Sequence, residues 1–389
     1  SAQEWTPKLG MQKVIRGFQD GNAMDQEWQE LYSWYKRQPQ WQDRVEELMK
    51  SGFCTRPADG LTEEVAKQLY GEHFQDSITR IERFSACAFA HFLTYGLRLR
   101  EQQTYEFQPL DLGNVCHSAL EYYSRKLREE HLSWTEIEEE KRQEYIDDSV
   151  EHAISDYGNS VLYSSARNEY MIERIKRLLT RTIWALTKQL EAGDFVPVAY
   201  EMRFENGKID RVDLCKDGDK VYVKVLDYKT GSKDFDVVAL YHGLQLQLMV
   251  YMDAAVKMTQ KHYPDSEVIP AGVFYYRLND PLVEKKVVGE EEEIWQKVLK
   301  ELKVDGVMNL KDETLEHLDH CQVGESAVIP VKYNKNGSLS KNSKVASEQE
   351  FEVMMRHALG KVLKVHRKIL SGEVAASPYR RKQESGCDY

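Results

Sequence analysis

An acid and a base stand two residues apart in the stretch VYVKVLDYKTGSK, as Asp227 and Lys229. Ahead of them Val221, Val223 and Val225 alternate with Tyr222, Lys224 and Leu226, which is the period of a strand. Residues i and i+2 of a strand share a face, so the apolar face of this strand ends in an opposite-charge pair. Just upstream, DLCKDGDKVYV contains Asp217-Gly218, a two-residue hairpin signal. With those two residues as the loop, Lys216 faces Asp219, Asp210 faces Val225 and Lys208 faces Asp227. Directly opposed residues share a face. Asp210 therefore joins Asp227 and Lys229 on one side of the sheet, as a diagonal neighbour of Asp227 at about 7–8 Å. Asp213 falls opposite Tyr222 on the other face, which argues against it as a ligand.

Two carboxylates at that separation can share a divalent cation, and their hard oxygens suit Mg²⁺ or Mn²⁺. Such an ion lowers the pKa of a bound water and steadies charge growing on a phosphate. A lysine beside it can orient the attacking water or offset phosphate charge. A lone DYK triplet also fits a surface hairpin with charged ends, and the hairpin register argues against that reading.

Several elements must position these residues. DQEWQELYSWYKRQ and WQDRVEELMKSG carry apolar residues at helical spacing, separated by Pro39. LTEEVAKQLYG predicts a helix capped by Thr62 and stopped by Gly71. Further helices are expected from Ser77 to about Arg83, over LGNVCHSALEYYSRKLREEH, over 134–151 and over 166–192. From Val196 the period becomes two, giving strands over VPVAYEMRF, GKIDRVDLC and KVYVKVLDYK. One helix is expected over 236–263, apolar nearly all round, followed by a strand at PAGVFYYRL. Residues 330–347 have loop composition with a turn at Asn336-Gly337, and a last helix runs from about 347 to 371. The order predicts an α/β fold, with a central sheet flanked by helices and an additional N-terminal helical segment.

The chain has 389 residues, 41% hydrophobic and 30% charged, the balance of a globular protein with a large core. Its net charge of −11 excludes a surface coated in basic charge but not a local basic groove. Basic clusters occur at 167–181, 361–370 and 379–382, each also readable as a solvated helix face. No apolar run reaches membrane-span length and the first residues carry no signal-peptide pattern, so a cytoplasmic protein is the expectation. The six cysteines, at 54, 87, 116, 215, 321 and 387, form no disulfide framework and no CxxC pair. No GxxxxGK[ST] phosphate loop is present.

The motifs GKIDRVD, LDYKTG and QLQLMVY, in that order, resemble the RecB-type branch of the PD-(D/E)xK nuclease superfamily. What the resemblance implies is a restriction-endonuclease-like fold with a mixed central sheet. It assigns Asp210, Asp227 and Lys229 to the catalytic set, with Gln247 and Tyr251 from a QxxxY helix and His117 from the preceding helix. His117, Asp210 and Asp227 would hold Mg²⁺, with Mn²⁺ as an alternative. A helix presents Gln247 and Tyr251, four residues apart, on one face. Glu201, on the strand before Asp210, is a candidate extra acid that reads rather as structural.

SITRIERFSACAFAHFLTYGLRLRE, ESAVIPVKYNKNGSLSKNSKVAS and ILSGEVAASPYRRKQESGCDY are similar to the AddB family of bacterial helicase–nuclease components. That similarity implies a helical tail of a preceding helicase-like region over 1–76 and a RecB-type nuclease domain over 77–389. The implied activity is exonucleolytic degradation of the 5′-ended DNA strand in double-strand break repair, with DNA and an AddA-type helicase–nuclease motor as partners. It also implies a [4Fe-4S] cluster on four cysteines. Cys87 matches the first, with Ala88 where the family has proline, and Cys387 matches the second. The sequence given ends at Tyr389, so the other two ligands are not in it. Two further readings are a DNA-binding scaffold that keeps only the fold, and a related nuclease of phage or CRISPR processing.

Overall fold

The computed structural model describes residues 6–19, 25–52, 60–71, 77–99, 109–158, 166–205, 207–231, 233–281, 291–381 and 384–385. They fall into two compact units, Ser1–Asp59 and Gly60–Tyr389. The first holds helices α1 (Pro7–Gln19), α2 (Gln26–Arg37) and α3 (Pro39–Gly52). Pro39 occupies the first helical position, where its missing N–H costs nothing. The three helices close over Val14, Trp28, Tyr35 and Val45.

The second unit starts with α4 (Glu63–Tyr70), where Thr62 accepts the Val65 N–H and Gly71 closes the helix at φ +91°. The Leu61 N–H donates to the Gly372 carbonyl at 2.8 Å, which fastens this helix to the second unit. Next come α5 (Ile78–Ala86), α6 (Ala88–His91) with a π-helical turn over Phe92–Gly96, α7 (Pro109–Glu129), α8 (Glu139–Gly158) and α9 (Ala166–Glu191). Strands β1 (Val196–Phe204), β2 (Gly207–Asp217) and β3 (Lys220–Lys229) follow. Then come α10 (Val237–His242), α11 (Gln247–His262), β4 (Glu267–Arg277), α12 (Glu291–Glu301), β5 (Asp305–Asn309), α13 (Asp312–Leu318), β6 (Val345–Ala346) and α14 (Glu348–Leu370). A two-stranded ribbon, β7 (Arg380–Arg381) with β8 (Glu384–Ser385), completes the described chain.

The six-stranded sheet runs β1-β2-β3-β4-β5-β6. Its first three strands are antiparallel, β3 and β4 are parallel, β4 and β5 antiparallel, and β5 and β6 parallel. Parallel neighbours need a crossover, and α10 with α11 supplies it between β3 and β4. One face of the sheet, with Tyr222, Leu226, Tyr228, Phe274 and Tyr276, joins a core built with α7, α8 and α9. The other, with Val221, Val223, Val225, Val273 and Tyr275, joins a core built with α5, α11 and α14. Helices on both faces explain why β3 is buried along nearly its whole length.

Three expectations change. The hairpin pairs Asp217 with Lys220, Val212 with Val225 and Arg211 with Leu226, so Gly218 and Asp219 form the loop. Gly218 takes φ +58° at the first loop position, where a hairpin turn of the II′ kind requires a positive φ. This register carries Asp210 opposite Asp227 rather than opposite Val225. The slip is two residues, an even number, so every side chain keeps its face. The single helix over 236–263 is two helices, because Gly243 ends α10 in the left-handed conformation. A Cβ there would lie 2.8 Å from Ser85 Oγ. Residues 291–318, for which no element is expected from the sequence, hold α12, β5 and α13.

Asp213 lies on the face away from Asp227 and is fully buried. Its Oδ1 accepts from Arg211 Nε at 2.6 Å, its Oδ2 accepts from Arg211 Nη2 at 3.0 Å, and Lys224 Nζ lies 2.9 Å from Oδ2. Burial alone would raise its pKa, and the charges of Arg211 and Lys224 overcome that and lower it. Asp213→Ala leaves two buried cations without their carboxylate. It is expected to destabilise the unit by about 3–5 kcal/mol in urea melts, whereas Asp217→Ala at the exposed hairpin end stays within about 0.5 kcal/mol.

Candidate active site

At the end of β2 and β3 remote from the hairpin turn, Asp210 and Asp227 are both buried. The Tyr228 N–H donates to Asp210 Oδ2 at 2.7 Å, which fixes that carboxylate against the neighbouring strand. β1 reaches the same place through an irregularity at Val198, between the pairs Pro197–Asp213 and Ala199–Val212. Beyond it, Tyr200 pairs with Arg211 and Met202 with Ile209, so Glu201 lies across from Asp210. Glu201 has φ +49°, a left-handed conformation that costs a non-glycine residue free energy and often accompanies functional positions. Its carboxylate is paired with Lys208.

His117 comes from α7. Its Nε2–H donates to the Tyr228 carbonyl at 3.1 Å. With Nε2 so engaged, Nδ1 faces the acids, carrying a proton towards them when the ring is charged and a lone pair when it is neutral. Nδ1 lies 3.5 Å from Asp210 Oδ2 and 3.8 Å from Glu201 Oε1. Donor atoms of His117, Glu201 and Asp210 all lie within 4.8 Å of one another.

The lysine side of the site is a chain of contacts. Lys229 is ion-paired with Asp227, and its Nζ donates to Gln247 Oε1 at 2.9 Å. Gln247 Nε2 donates to Tyr251 Oη at 2.7 Å, one helical turn along α11. The first turn of α11 is held by Glu82 of α5, whose Oε1 accepts the N–H groups of Leu246 and Gln247 at 2.7 and 3.0 Å. Glu82 Oε2 lies 3.5 Å from Lys233. Nothing in the spacing of RIERF points to this role for Glu82, because its partners are more than 160 residues away.

The structure thus gathers Asp210, Asp227, Lys229, His117, Gln247 and Tyr251 at one end of the sheet, and adds Glu201 and Glu82. Burial pushes Asp227 up to about 7, helped by the negative charge of Asp210 and opposed by Lys229 and His117. Burial works against protonation of His117, but Asp210 and Glu201 outweigh it and push this imidazole up to about 10. Asp227 and His117 therefore take up protons more readily than their ordinary values allow. Carboxylate oxygens and one imidazole suit a hard divalent cation such as Mg²⁺ or Mn²⁺, whose charge would take the place of those protons.

Of the cysteines of the expected iron–sulfur ligation, Cys87 is among the described residues. Cys87 is buried at the junction of α5 and α6, beside Phe89 and Ala90. The Tyr379 N–H donates to the Ala86 carbonyl at 2.8 Å, so the C-terminal segment runs beside it. Cys387 lies outside the described residues. Among the described residues, no helix is long and apolar enough to cross a membrane.

Residues 75–389 match the family model of the PD-(D/E)XK nuclease superfamily. Residues 11–51 match that of the fifth domain of the ATP-dependent helicase/deoxyribonuclease AddB. Curated proteins named as the B component of an ATP-dependent helicase/deoxyribonuclease are similar along nearly the whole chain. The protein of Lachnoclostridium phytofermentans is 40% identical over 93% of this chain and 33% of its own length. Those of Alkaliphilus metalliredigens and Clostridium perfringens are 32% and 31% identical over 97% of this chain, and 35% and 34% of their own lengths. The chain spans about a third of the length of these relatives.

With Asp227 pushed up to about 7 and His117 to about 10, cation binding at this site competes with protons. The apparent Mn²⁺ or Mg²⁺ affinity is expected to rise from pH 6 to pH 8, by up to about tenfold per pH unit for each proton released. Calorimetric titrations in two buffers of different ionisation heat measure the release directly. Equal heats in both buffers would show that these protons do not leave.

Proposed function

Because the chain belongs to the PD-(D/E)XK nuclease superfamily, we propose that its sheet-end site hydrolyses DNA phosphodiesters, as the nuclease-bearing part of an AddB-type protein. The observation that carries this reading is the meeting of Asp210, Asp227 and Lys229 at one strand end, with Lys229 shared between Asp227 and Gln247.

Asp210, Asp227 and His117 are the residues that would hold the ion, and the position of Glu201 within 3.8 Å of His117 supports adding it to the set. Mg²⁺, or Mn²⁺ in its place, supplies Lewis acidity towards the phosphate and water when bound. Lys229 is free to rotate only within a narrow range, because Asp227 and Gln247 engage it from two sides. Its ammonium group orients the attacking water and offsets charge that grows on the phosphate oxygens. The Gln247–Tyr251 hydrogen bond and the Glu82 cap hold the acceptor that aims this lysine. In the reaction an oxygen–phosphorus bond forms from water as the bond to the leaving deoxyribose oxygen breaks, the attacking water giving a proton to solvent and the leaving oxygen taking one up from it.

The substrate would be a DNA end, and the reaction degradation of the 5′-ended strand at a double-strand break in preparation for recombinational repair. The relatives' name couples a deoxyribonuclease to an ATP-dependent helicase. The motor would be a partner of the AddA type. A [4Fe-4S] cluster would join Cys87 and Cys387 to thiolates that this sequence does not contain.

The test is degradation of linear single-stranded DNA in Mg²⁺ by the unaltered chain, Asp227→Ala and Lys229→Ala, with strands labelled at either end to read polarity. Each substitution is expected to lower the rate by about a hundredfold or more. Equal degradation by all three proteins, or by none, would remove the site assignment. The second result, with Mg²⁺ binding retained, favours a DNA-binding scaffold instead.

A further inference from the structure

Cys215 lies five residues along β2 from Asp210, about 17 Å away at strand spacing, too far to share an ion with the nuclease site. Around it a second set of ligand-type side chains converges. Asp194 comes from the α9–β1 connection, His317 from the last turn of α13 and His320 from just beyond it. Donor atoms of Asp194, Cys215 and His317 all lie within 4.8 Å of one another. We propose that these three residues form a site for a thiophilic divalent cation of the Zn²⁺ type, separate from the nuclease site and independent of the nuclease reading.

The donor set is the first argument. One thiol, one imidazole and one carboxylate are ligands that Zn²⁺ accepts together, whereas Mg²⁺ selects oxygen. Tetrahedral bonds of zinc length set ligand atoms roughly 3.3–3.8 Å apart, so small side-chain rotations close the site. Cys215 is buried, which makes it the inner ligand, and Asp194 is exposed, which gives the ion a route in. The thiol passes its proton to solvent as the metal–sulfur bond forms.

Preorganisation is the second argument. The Asp194 N–H donates to the His317 carbonyl at 2.9 Å, and the His320 N–H donates to the Ala192 carbonyl at 2.8 Å. Between these two bonds, a Cβ on Gly193 would lie 2.3 Å from the His317 carbonyl oxygen, so the backbones meet at a distance only glycine permits. Two of the three ligands are thus carried on segments already locked together.

The surroundings of His317 are the third. Its Nδ1 lies 2.8 Å from Asp194 Oδ2, and its Nε2 lies 3.7 Å from Asp217 Oδ2. The first contact is a hydrogen bond that orients the ring towards Asp194, and the second, too long for a hydrogen bond, adds negative charge that favours a cation here. His320 Nε2 lies 3.1 Å from the other oxygen of Asp194, where it steadies that carboxylate or completes the coordination. A bound ion would pin the start of β1, the strand that carries Glu201 towards the first site.

The test uses Co²⁺ as a spectroscopic probe of the 389-residue chain in excess Mg²⁺, which occupies oxygen-rich sites. A thiolate-to-cobalt charge-transfer band and intense tetrahedral visible bands are expected, saturating at one equivalent and abolished by Zn²⁺. Cys215→Ser should lose the charge-transfer band, and His317→Gln and Asp194→Asn should each weaken binding at least tenfold. Zn²⁺ should raise the melting temperature of the unaltered chain and not that of Cys215→Ser. Circular dichroism reports whether each variant is folded. Where Cys215→Ser is not, the exposed-side variant Asp194→Asn decides the matter. A charge-transfer band that survives in folded Cys215→Ser, full Co²⁺ affinity in folded Asp194→Asn, or no band in the unaltered chain would overturn the proposal. In the last case the cluster is a histidine–aspartate hydrogen-bond network alone.

Discussion

Asp210 and Asp227 face each other across two adjacent strands, away from water, where their negative charges repel. Much of the surrounding architecture acts to offset that repulsion. His117 approaches from one layer of helices and Lys229 is held by α11 from the other. The Tyr228 backbone N–H gives one carboxylate a hydrogen bond at no cost in charge. What remains is a site with more negative charge than its protein partners neutralise comfortably, which is why Asp227 retains a proton until about pH 7. A divalent cation would relieve that imbalance, which is how the proposed phosphate chemistry would draw on the buried pair.

Behind the pair, on the opposite face of the same strands, the charges are balanced within the protein. Asp213 is enclosed by Arg211 and Lys224, and Arg211 also lies over the Trp134 ring. Neighbouring carboxylates on β2 thus have opposite fates. Asp213 is saturated by fixed cations and has no capacity for a ligand, whereas Asp210 meets another acid. Strand alternation makes the difference, since residues 210 and 213 differ by an odd number and so project to opposite faces.

The family match covers the sheet, both helical layers and the C-terminal segment, while the match to the AddB fifth domain falls in the separate N-terminal unit. α4 belongs by contact to the second unit, through the Leu61–Gly372 hydrogen bond, although it precedes the matched residues. A helix at one end of the chain's nuclease-like unit is therefore closed by a residue near the other. That closure operates in addition to any cluster built on Cys87.

The sequence by itself determined the elements around the hairpin and the parity of its register. Valines at period two, a glycine in the turn and an even loop length suffice to bring Asp210, Asp227 and Lys229 to one face and send Asp213 to the other. Those are short-range properties of backbone geometry, and a slip of two residues leaves them unchanged. The sequence did not show which residue directly faces Asp227, because the turn could be placed on Asp217-Gly218 or Gly218-Asp219 without altering the pattern. It did not reveal the break at Gly243, since the apolar run reads continuously through it. Nor did it separate Glu201 from an ordinary strand acid, or point to Glu82, or join Asp194 and Cys215 to His317. Those depend on a bulge in β1, on helix caps made across the fold and on connections that meet at Gly193. Tertiary structure decided them because each contact joins residues remote in the chain, whose positions are set only once both faces of the sheet are covered.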